Sequence, residues 1–401
     1  MTDTIETVVI GAGAAGLMAA IWAARAGQRV VVLESVAQAG KKILISGGGR
    51  CNLLPSSIAT NDYYSEASTN VINRLFRTWP LEQVQMFFEY EIDVALELEE
   101  ATGKYFPKAQ KAIVVRDALQ KELLDLGGEI RFNHKVTDVK KFGDGFTLAC
   151  NDTVLNASRL VLATGGKSVP KTGSDGFGYE IARRLGHSSF ATYPALVPLT
   201  TNETLLTDLR GISLRVTWRV QQGDKILEQA DNDLLFTHHG FSGPAILDAS
   251  HWVIRDKADL FINFTRVSAV DWQQRFIDKP AATTQGVLTD IMPARLAKAL
   301  LKKSGVEDDE RVGNLTKEKR KALIDAMCNY KLAITGSRGL AVAEVTGGGI
   351  PLDEVNLSTL ESKKTPGLYL CGEILDVIGR IGGYNFYWAF VSARLAGEST
   401  R

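Results

Sequence analysis

The first third of the chain alternates short apolar runs with glycine-rich turns. Residues 7–10 form a compact, largely apolar run that predicts a buried strand. Residues 14–26 are a small-residue stretch that predicts a helix closed by Gly27, and residues 29–33 predict a second buried strand. Strand, helix and strand in that order begin a βαβ unit. Apolar spacing predicts further helices over residues 75–90 and 115–126, the latter stopping at Gly127-Gly128 before a strand over 130–132. Residues 160–163 predict another buried strand, which runs into Thr164-Gly165-Gly166. A helix over 178–185 follows Ser174-Asp175 and stops at Gly186.

The pattern changes near Tyr193-Pro194. From 212 to 220 it alternates strictly, with Ile212, Leu214, Val216, Trp218 and Val220 on one face and Ser213, Arg215, Thr217 and Arg219 on the other. Such alternation predicts an antiparallel, half-exposed strand. Gln222-Gly223-Asp224 supplies its turn, and residues 234–237 predict a later strand of the same sheet. Amphipathic helices are predicted over 294–303 and 317–329, the second capped by Thr316. After Leu340 the glycine-rich, apolar texture of the N-terminal part returns. The predicted organisation is an α/β nucleotide-binding domain built from residues 1–192 and 341–401. A module over 193–340 interrupts it, β-rich to about 270 and helical over about 271–330.

Val8-Val9-Ile10-Gly11-Ala12-Gly13-Ala14-Ala15-Gly16 places the order GxGxxG between a strand and a helix. Gly11 permits the tight turn, Gly13 lets the backbone approach a pyrophosphate on the helix N-terminus, and Gly16 allows helix and strand to pack closely. Glu34 ends the second strand, where a carboxylate accepts from a ribose diol and repels a 2′-phosphate. FAD or NAD is therefore favoured over NADP. A glycine-rich packing turn is the bland alternative, and the strand, helix and acid together weigh against it.

The rest of the chain separates FAD from NAD. Lys41-Lys42-Ile43-Leu44-Ile45-Ser46-Gly47-Gly48-Gly49-Arg50-Cys51-Asn52 can lay backbone N–H groups and a guanidinium against a phosphate or flavin, which an ordinary NAD domain does not need. A surface loop is the alternative reading. Near the other end, Gly367 to Gly372-Glu373 is a short strand ending in glycine and an acid. Asp376 follows, and then Gly382-Gly383-Tyr384-Asn385 opens a helix. Together with Ala163-Thr164-Gly165-Gly166, three strand ends converge on one ligand.

Composition narrows the class. Lys plus Arg and Asp plus Glu each number 46, so no bulk field draws the chain to nucleic acid or lipid. The four cysteines, Cys51, Cys150, Cys328 and Cys371, form neither a CxxC pair nor a disulfide framework, which fits a reducing cytoplasm; no metal site is expected. Residues 7–24 carry no charge and approach membrane-spanning length. That reading is rejected because Asp3 and Glu6 precede them and a phosphate-binding glycine order fills their middle.

GAGAAG, KILISGGGRCN, ATGG, FTHHGFSGP, EVTGGG and GEILD followed by GGYN together resemble the BaiN-like (YhiN-type) FAD-binding flavoproteins, related to aminoacetone oxidase. The likeness spans almost the whole chain. It implies a glutathione-reductase-type, Rossmann-like FAD domain split by an inserted β-barrel-like module and a small helical insert. It also implies noncovalent FAD held by the motif residues above, with Ser35, Val136, Asp175 and Gly176 beside them. Tyr387 stands where the family pattern has a glutamine, and Ala393-Arg394 where it has a glycine-containing pair.

A flavin supplies the redox chemistry, and the protein binds, orients and tunes it. Disulfide reduction needs a second thiol near Cys51, and none is close in sequence; Cys51 reads as a small packed thiol, with a place near the flavin as the alternative. No second strand-linked GxGxxG appears, so NAD(P)H is expected only as a transient reductant. The loop around His238 is the candidate for the substrate side, because a histidine can exchange a proton; a surface histidine is the bland alternative. Arg50 can balance negative charge on reduced flavin or on phosphate, with a plain surface arginine as the alternative, and Tyr384 and Asn385 read as flavin contacts ahead of acid–base groups. The inserted module is expected to roof the flavin.

Two classes stay open. The first is an oxidoreductase moving hydride between FAD and a small organic substrate, with NAD(P)H or oxygen as partner. The second is a non-catalytic or regulatory FAD-binding protein, or a flavin-dependent partner in RNA modification. Weak basic clustering counts against RNA. The expected partner is a small molecule, with no nucleic acid and no membrane; the oligomeric state is open.

Overall fold

The computed structural model describes residues 4–59, 61–151 and 153–401; Asp3 lies outside them. The chain divides into two compact units, Met1–Tyr193 with Glu344–Arg401, and Pro194–Ala343. The first is assembled from both ends of the chain.

In this first unit β1 (Ile5–Ile10) and β2 (Val30–Leu33) are buried along nearly their whole length. Continuous apolar runs of this kind form the inner strands of a parallel sheet covered on both faces. The helix α1 (Ala14–Arg25) connects them. The sheet continues with β3 (Glu129–Arg131), β4 (Val136–Phe142), β5 (Gly145–Cys150), β6 (Thr153–Leu162) and β7 (Leu368–Leu370). Its order is β3-β2-β1-β6-β5-β4, with β7 also paired to β6. Strands β3, β2, β1, β6 and β7 pair in parallel, while β4 and β5 form an antiparallel extension. A strand from the far end of the chain thus lies beside β6, and α2 (Tyr384–Glu398) completes this half.

Two predicted elements come out differently. Residues 75–90 do not make one helix: Thr69–Phe76 and Leu81–Met86 are separate, and a π-turn over Phe87–Glu91 ends the second. Pro80 lies at the break, where it supplies no N–H and biases Trp79 away from helical backbone. The strand predicted over 160–163 runs from Thr153 to Leu162, its first half forming a largely exposed hairpin arm paired with β5.

The second unit holds an antiparallel seven-stranded sheet. Its order is Tyr330–Lys331, Asp259–Asn263, Ser213–Gln222, Lys225–Thr237, Gly240–Ser242, Leu199–Thr200 and Gly336–Ser337. Val216, Trp218 and Val220 are wholly buried on its inner face, as the alternation predicts. The hairpin turns between Gln222 and Lys225. The helices Ala294–Lys303 and Lys317–Cys328 follow, and Thr316 Oγ1 caps the second by accepting from Lys319 N at 3.2 Å. A helix over Pro244–Arg255 was not anticipated, since FSGP reads locally as a loop; the proline sits at its first position, where no N–H is needed.

The expected barrel-like closure is corrected by the sheet order. Tyr330–Lys331 and Gly336–Ser337 are edges that do not pair with each other, so the sheet stays open among the described residues. Each edge strand has two residues, too short a ladder to close a barrel.

Candidate cofactor site

The turn after β1 is held on both sides. Gly11 N donates to Leu33 O at 2.8 Å, and Ala163 N, past the end of β6, donates to Ile10 O at 3.0 Å. Gly11 has φ +101°, and a Cβ there would stand 2.7 Å from Ala163 O; a Cβ at Gly16 would stand 1.7 Å from Gly11 O. At Gly13 the situation is reversed, with nothing within 4 Å of such a Cβ. The space beside Gly13 is therefore open where α1 begins, and helix N–H groups and the dipole favour an anion there.

Beside this turn Glu34, Ser35, Val136, Thr164 and Asp175 line one cleft with Gly11. Glu34 is buried, and Ala12 N donates to its Oε2 at 2.7 Å. Its Oε1 accepts from Val36 N at 3.0 Å and Ser35 Oγ at 3.1 Å. An ionised carboxylate has about four acceptor positions, which leaves room for a ribose hydroxyl. Lys135 and Asp175 pair at 3.3 Å across the cleft lining, and both side chains are half-exposed. Gly176, with φ +84°, turns the chain into the helix Phe177–Arg184.

A second cluster ties three segments together. Lys42 Nζ lies 2.6 Å from Glu373 Oε2 and 2.7 Å from Ser168 Oγ. Ser168 Oγ and Thr346 N reach Glu373 Oε1 at 2.7 and 2.9 Å. Thr346 Oγ1 in turn accepts from Lys167 N and Ser168 N at 2.7 and 2.9 Å. Burial alone would raise the Glu373 carboxyl, but the Lys42 ammonium and the donors from Ser168 and Thr346 outweigh it and hold it below its ordinary value. Gly165 and Gly166 close on this cluster: a Cβ at Gly166 would meet Thr346 Oγ1 at 2.4 Å. Gly372 lies against the start of α1, where a Cβ would stand 2.7 Å from Ala15 Cβ. Ser168 and Thr346 were not singled out in the sequence, although Thr346 belongs to EVTGGG and Ser168 stands two residues past ATGG.

The Lys41–Ile45 helical turn leads into Ser46–Gly49, where Ser46 Oγ donates to Ile43 O at 2.7 Å. Gly47, Gly48 and Gly49 are exposed, all with positive φ. Arg50 is turned to Glu99, 3.0 Å away, and to the face of Phe106, 4.1 Å from its ring centre. Cys51 is fully buried, and burial pushes its thiol up to about 12, so no thiolate exists near neutral pH. Asn52 Oδ1 is buried and accepts no hydrogen bond among the described residues.

At the C-terminal end Asp376 Oδ2 accepts from Glu66 N at 2.8 Å, and Asn385 bonds Gly379 through both its amide atoms at 2.9 and 3.0 Å. Asn385 braces its own turn, while Asp376 ties its loop to the distant segment at Ser65 and Glu66. Gly383, with φ +91°, caps α2, and Tyr384 opens it, half-buried with its ring 5.8 Å from Tyr63. Tyr387 is buried, stacked on Phe76 at 4.9 Å, and donates to Trp79 O at 2.8 Å. His238 belongs to the second unit, exposed in the turn between Lys225–Thr237 and Gly240–Ser242. No cluster of metal-ligating side chains occurs among the described residues, and none of their helices is long and apolar enough to cross a membrane.

Open space before Gly13, a ribose-facing acid at the end of β2 and an orphaned acceptor at Asn52 all fit a flavin dinucleotide. A parallel sheet completed from the far end of the chain frames them, and the class is that of Rossmann-type FAD-binding flavoproteins. The chain belongs to the family described as HI0933-like protein Rossmann domain, whose model matches residues 5–399, and with it to the FAD-dependent oxidoreductases.

A ribosomal RNA dihydrouridine synthase of Haemophilus influenzae is 33% identical over 400 residues, covering 98% of each chain. A 3-dehydro-bile acid delta(4,6)-reductase of Clostridium scindens is 32% identical over 403 residues, again covering 98% of each. Among solved structures, a 3-ketosteroid-delta4-(5alpha)-dehydrogenase of Rhodococcus jostii RHA1 is similar in fold. Its TM-score is 0.52 at 15% identity, over 100% of this chain and 97% of that one.

Proposed function

We propose that this protein uses FAD to reduce a carbon–carbon double bond conjugated to a carbonyl in a small organic substrate, with NAD(P)H as the electron source. The open cradle at Gly13 beside Glu34 carries the cofactor part. The reaction class is supported by the two full-length relatives. Dihydrouridine is uridine saturated at the double bond conjugated to its carbonyl, and a delta(4,6)-reductase of a 3-oxo steroid saturates bonds of the same kind.

Bound FAD supplies the hydride transfer. In this reading Gly11, Gly13 and the start of α1 hold the pyrophosphate, Glu34 holds the ribose, and Asn52 Oδ1 offers an acceptor to a flavin N–H. The reaction adds a hydride to the carbon β to the carbonyl and a proton to the α carbon, while NAD(P)H loses a hydride. His238 and Tyr384 are this chain's candidates for giving the proton. Arg50 opposes the negative charge developing on the carbonyl oxygen if it leaves Glu99.

Anaerobic mixing tests the reading. NAD(P)H is expected to bleach the flavin, and an α,β-unsaturated ketone such as cyclohexenone to restore its colour. Flavin that NAD(P)H does not reduce, or that only oxygen reoxidises, sinks it. A second reading takes uracil within RNA as the substrate, favoured by the 33% identical dihydrouridine synthase. Loss of uridine from an unmodified ribosomal RNA transcript, with no turnover of the enone, would select it.

A further inference from the structure

On the first unit, away from the cleft, Ser362, His187 and Glu354 form a buried chain of hydrogen bonds. Ser362 Oγ has one proton and two lone pairs. It accepts from Lys364 N at 3.0 Å and from Thr365 N at 2.8 Å, which fills both lone pairs. Its proton therefore goes to His187 Nε2, 2.7 Å away, and that nitrogen carries none. Nδ1 carries the ring proton and donates it to Glu354 Oε2 at 2.7 Å. Glu354 Oε1 also accepts from Ser188 Oγ at 2.7 Å. The donor count admits one form of His187, neutral with its proton on Nδ1.

Serine, histidine and acid in this order resemble a hydrolase triad. A nucleophilic role fails here, because both lone pairs of Ser362 Oγ are held by the backbone and Ser362 is only 5% exposed. What the chain does is join two elements that bear on the cofactor. His187 N donates to Ala182 O at 3.0 Å, fixing it to the end of the helix Phe177–Arg184, whose first residues Phe177 and Gly178 line the Glu34 cleft. Ser362 N donates to Leu368 O at 2.7 Å and Leu370 N to Leu360 O at 3.1 Å, which fixes the other side to β7, the strand leading to Gly372 and Glu373. Thr365 Oγ1 adds a buried tie to Leu185 O at 2.7 Å.

We propose that His187 is a positioning residue for the cofactor: the Ser362–His187–Glu354 chain clamps the cleft helix to β7, and protonation of His187 opens the clamp and loosens FAD. The proposal rests on the FAD reading above. A proton on Nε2 would point at an oxygen with no lone pair left, so one backbone donor would have to be given up. The charged groups acting on the ring are Glu354, from the loop after the EVTGGG strand, and Lys364. Burial pushes the imidazole below its ordinary value, Glu354 opposes this and Lys364 adds to it. A histidine lowered in the fold contributes stability that is complete above the unfolded value of about 6.5 and is lost as pH falls through the folded one.

The test follows FAD release from the holoprotein by fluorescence between about pH 7.5 and about pH 5.5. The wild type is expected to release FAD about tenfold faster at the acid end, since one titration changes a constant at most about tenfold per pH unit. His187→Gln should release it faster at the upper pH and vary less than about twofold across the range, having no ring to titrate. Equal pH slopes in the two proteins would overturn the proposal. If His187→Gln does not fold, nitrogen NMR of the wild-type histidines decides: Nε2 of His187 is expected without a proton near neutral pH, and a proton there overturns the clamp. A chain that binds no FAD at all refutes the cofactor reading instead, and the pH dependence of the thermal midpoint then tests the clamp by itself.

Discussion

Glu34 and Glu373 stand at similar places, each just past the end of a parallel strand of one sheet, and their surroundings differ. Glu34 accepts from two main-chain N–H groups and a hydroxyl, and it lines an open cleft. Glu373 faces a lysine, a serine hydroxyl and a backbone N–H drawn from three separate segments. A carboxylate paired only with neutral donors beside open space keeps acceptor capacity for a ligand. One neutralised by an ammonium serves as an internal strut. The same residue type at the same topological position is therefore held in two ways, set by what the rest of the chain brings to it.

The glycines around α1 offer the hardest way to break this contrast. Gly16→Ala puts a methyl group 1.7 Å from Gly11 O, an overlap that only backbone movement relieves. A loss of about 3 kcal/mol or more is expected, read as a lowered thermal midpoint of the apoprotein. Gly13→Val has open space before it, so the apoprotein should melt as the wild type does while FAD affinity falls at least about a hundredfold. If Gly13→Val binds FAD like the wild type in a fluorescence titration, the cradle has been misplaced.

Next in size is the strut. Glu373→Ala leaves a mostly buried lysine without its partner and should cost about 2 kcal/mol of stability, less than a fully buried pair because both side chains keep some exposure. The carboxyl of Glu373 is held below its ordinary value, so this stability is complete above about pH 4.5 and is lost as pH falls through the folded value. Wild type and Glu373→Ala should therefore converge in strong acid. A constant gap between their melting curves down to about pH 2 would show that the ionised carboxylate is not what matters.

Glu34→Ala probes the carboxylate beside the open cleft. It should weaken FAD by about 2 kcal/mol, the size of lost charge-assisted bonds to one ribose, and it also leaves Ala12 N in the glycine turn without its acceptor. An affinity loss smaller than that of Glu373→Ala would reverse the assignment of ligand acid and strut.

The smallest effect is expected at Cys51. Burial keeps its thiol protonated, so a thiol reagent at about pH 8 should leave it unmodified in the folded protein. Rapid labelling of Cys51 under those conditions would return it to the list of reactive groups.

The parts whose chemistry is local are legible along the chain. A buried strand, a tight glycine turn, a helix start and an acid one strand later lie within a few tens of residues. Their order alone forces Gly11, Gly13, Gly16 and Glu34 into one cradle, because the backbone geometry of a βαβ unit leaves little choice. The alternation through Trp218 and Val220 fixed a strand for the same reason, a side-chain period of two.

Partners distant along the chain come together only on folding. Nothing near Lys42 in sequence announces Ser168, Thr346 or Glu373, and nothing near His187 announces Ser362 or Glu354. Ser168 and Glu373 meet because β6 and β7 pair side by side and carry their flanking turns together. Arg50 shows the reverse case: its motif directed it to a cofactor, while folding supplied Glu99 and the ring of Phe106. Local pattern specifies which backbone can form; which charge meets which is settled when sheet pairing closes the long loops between them.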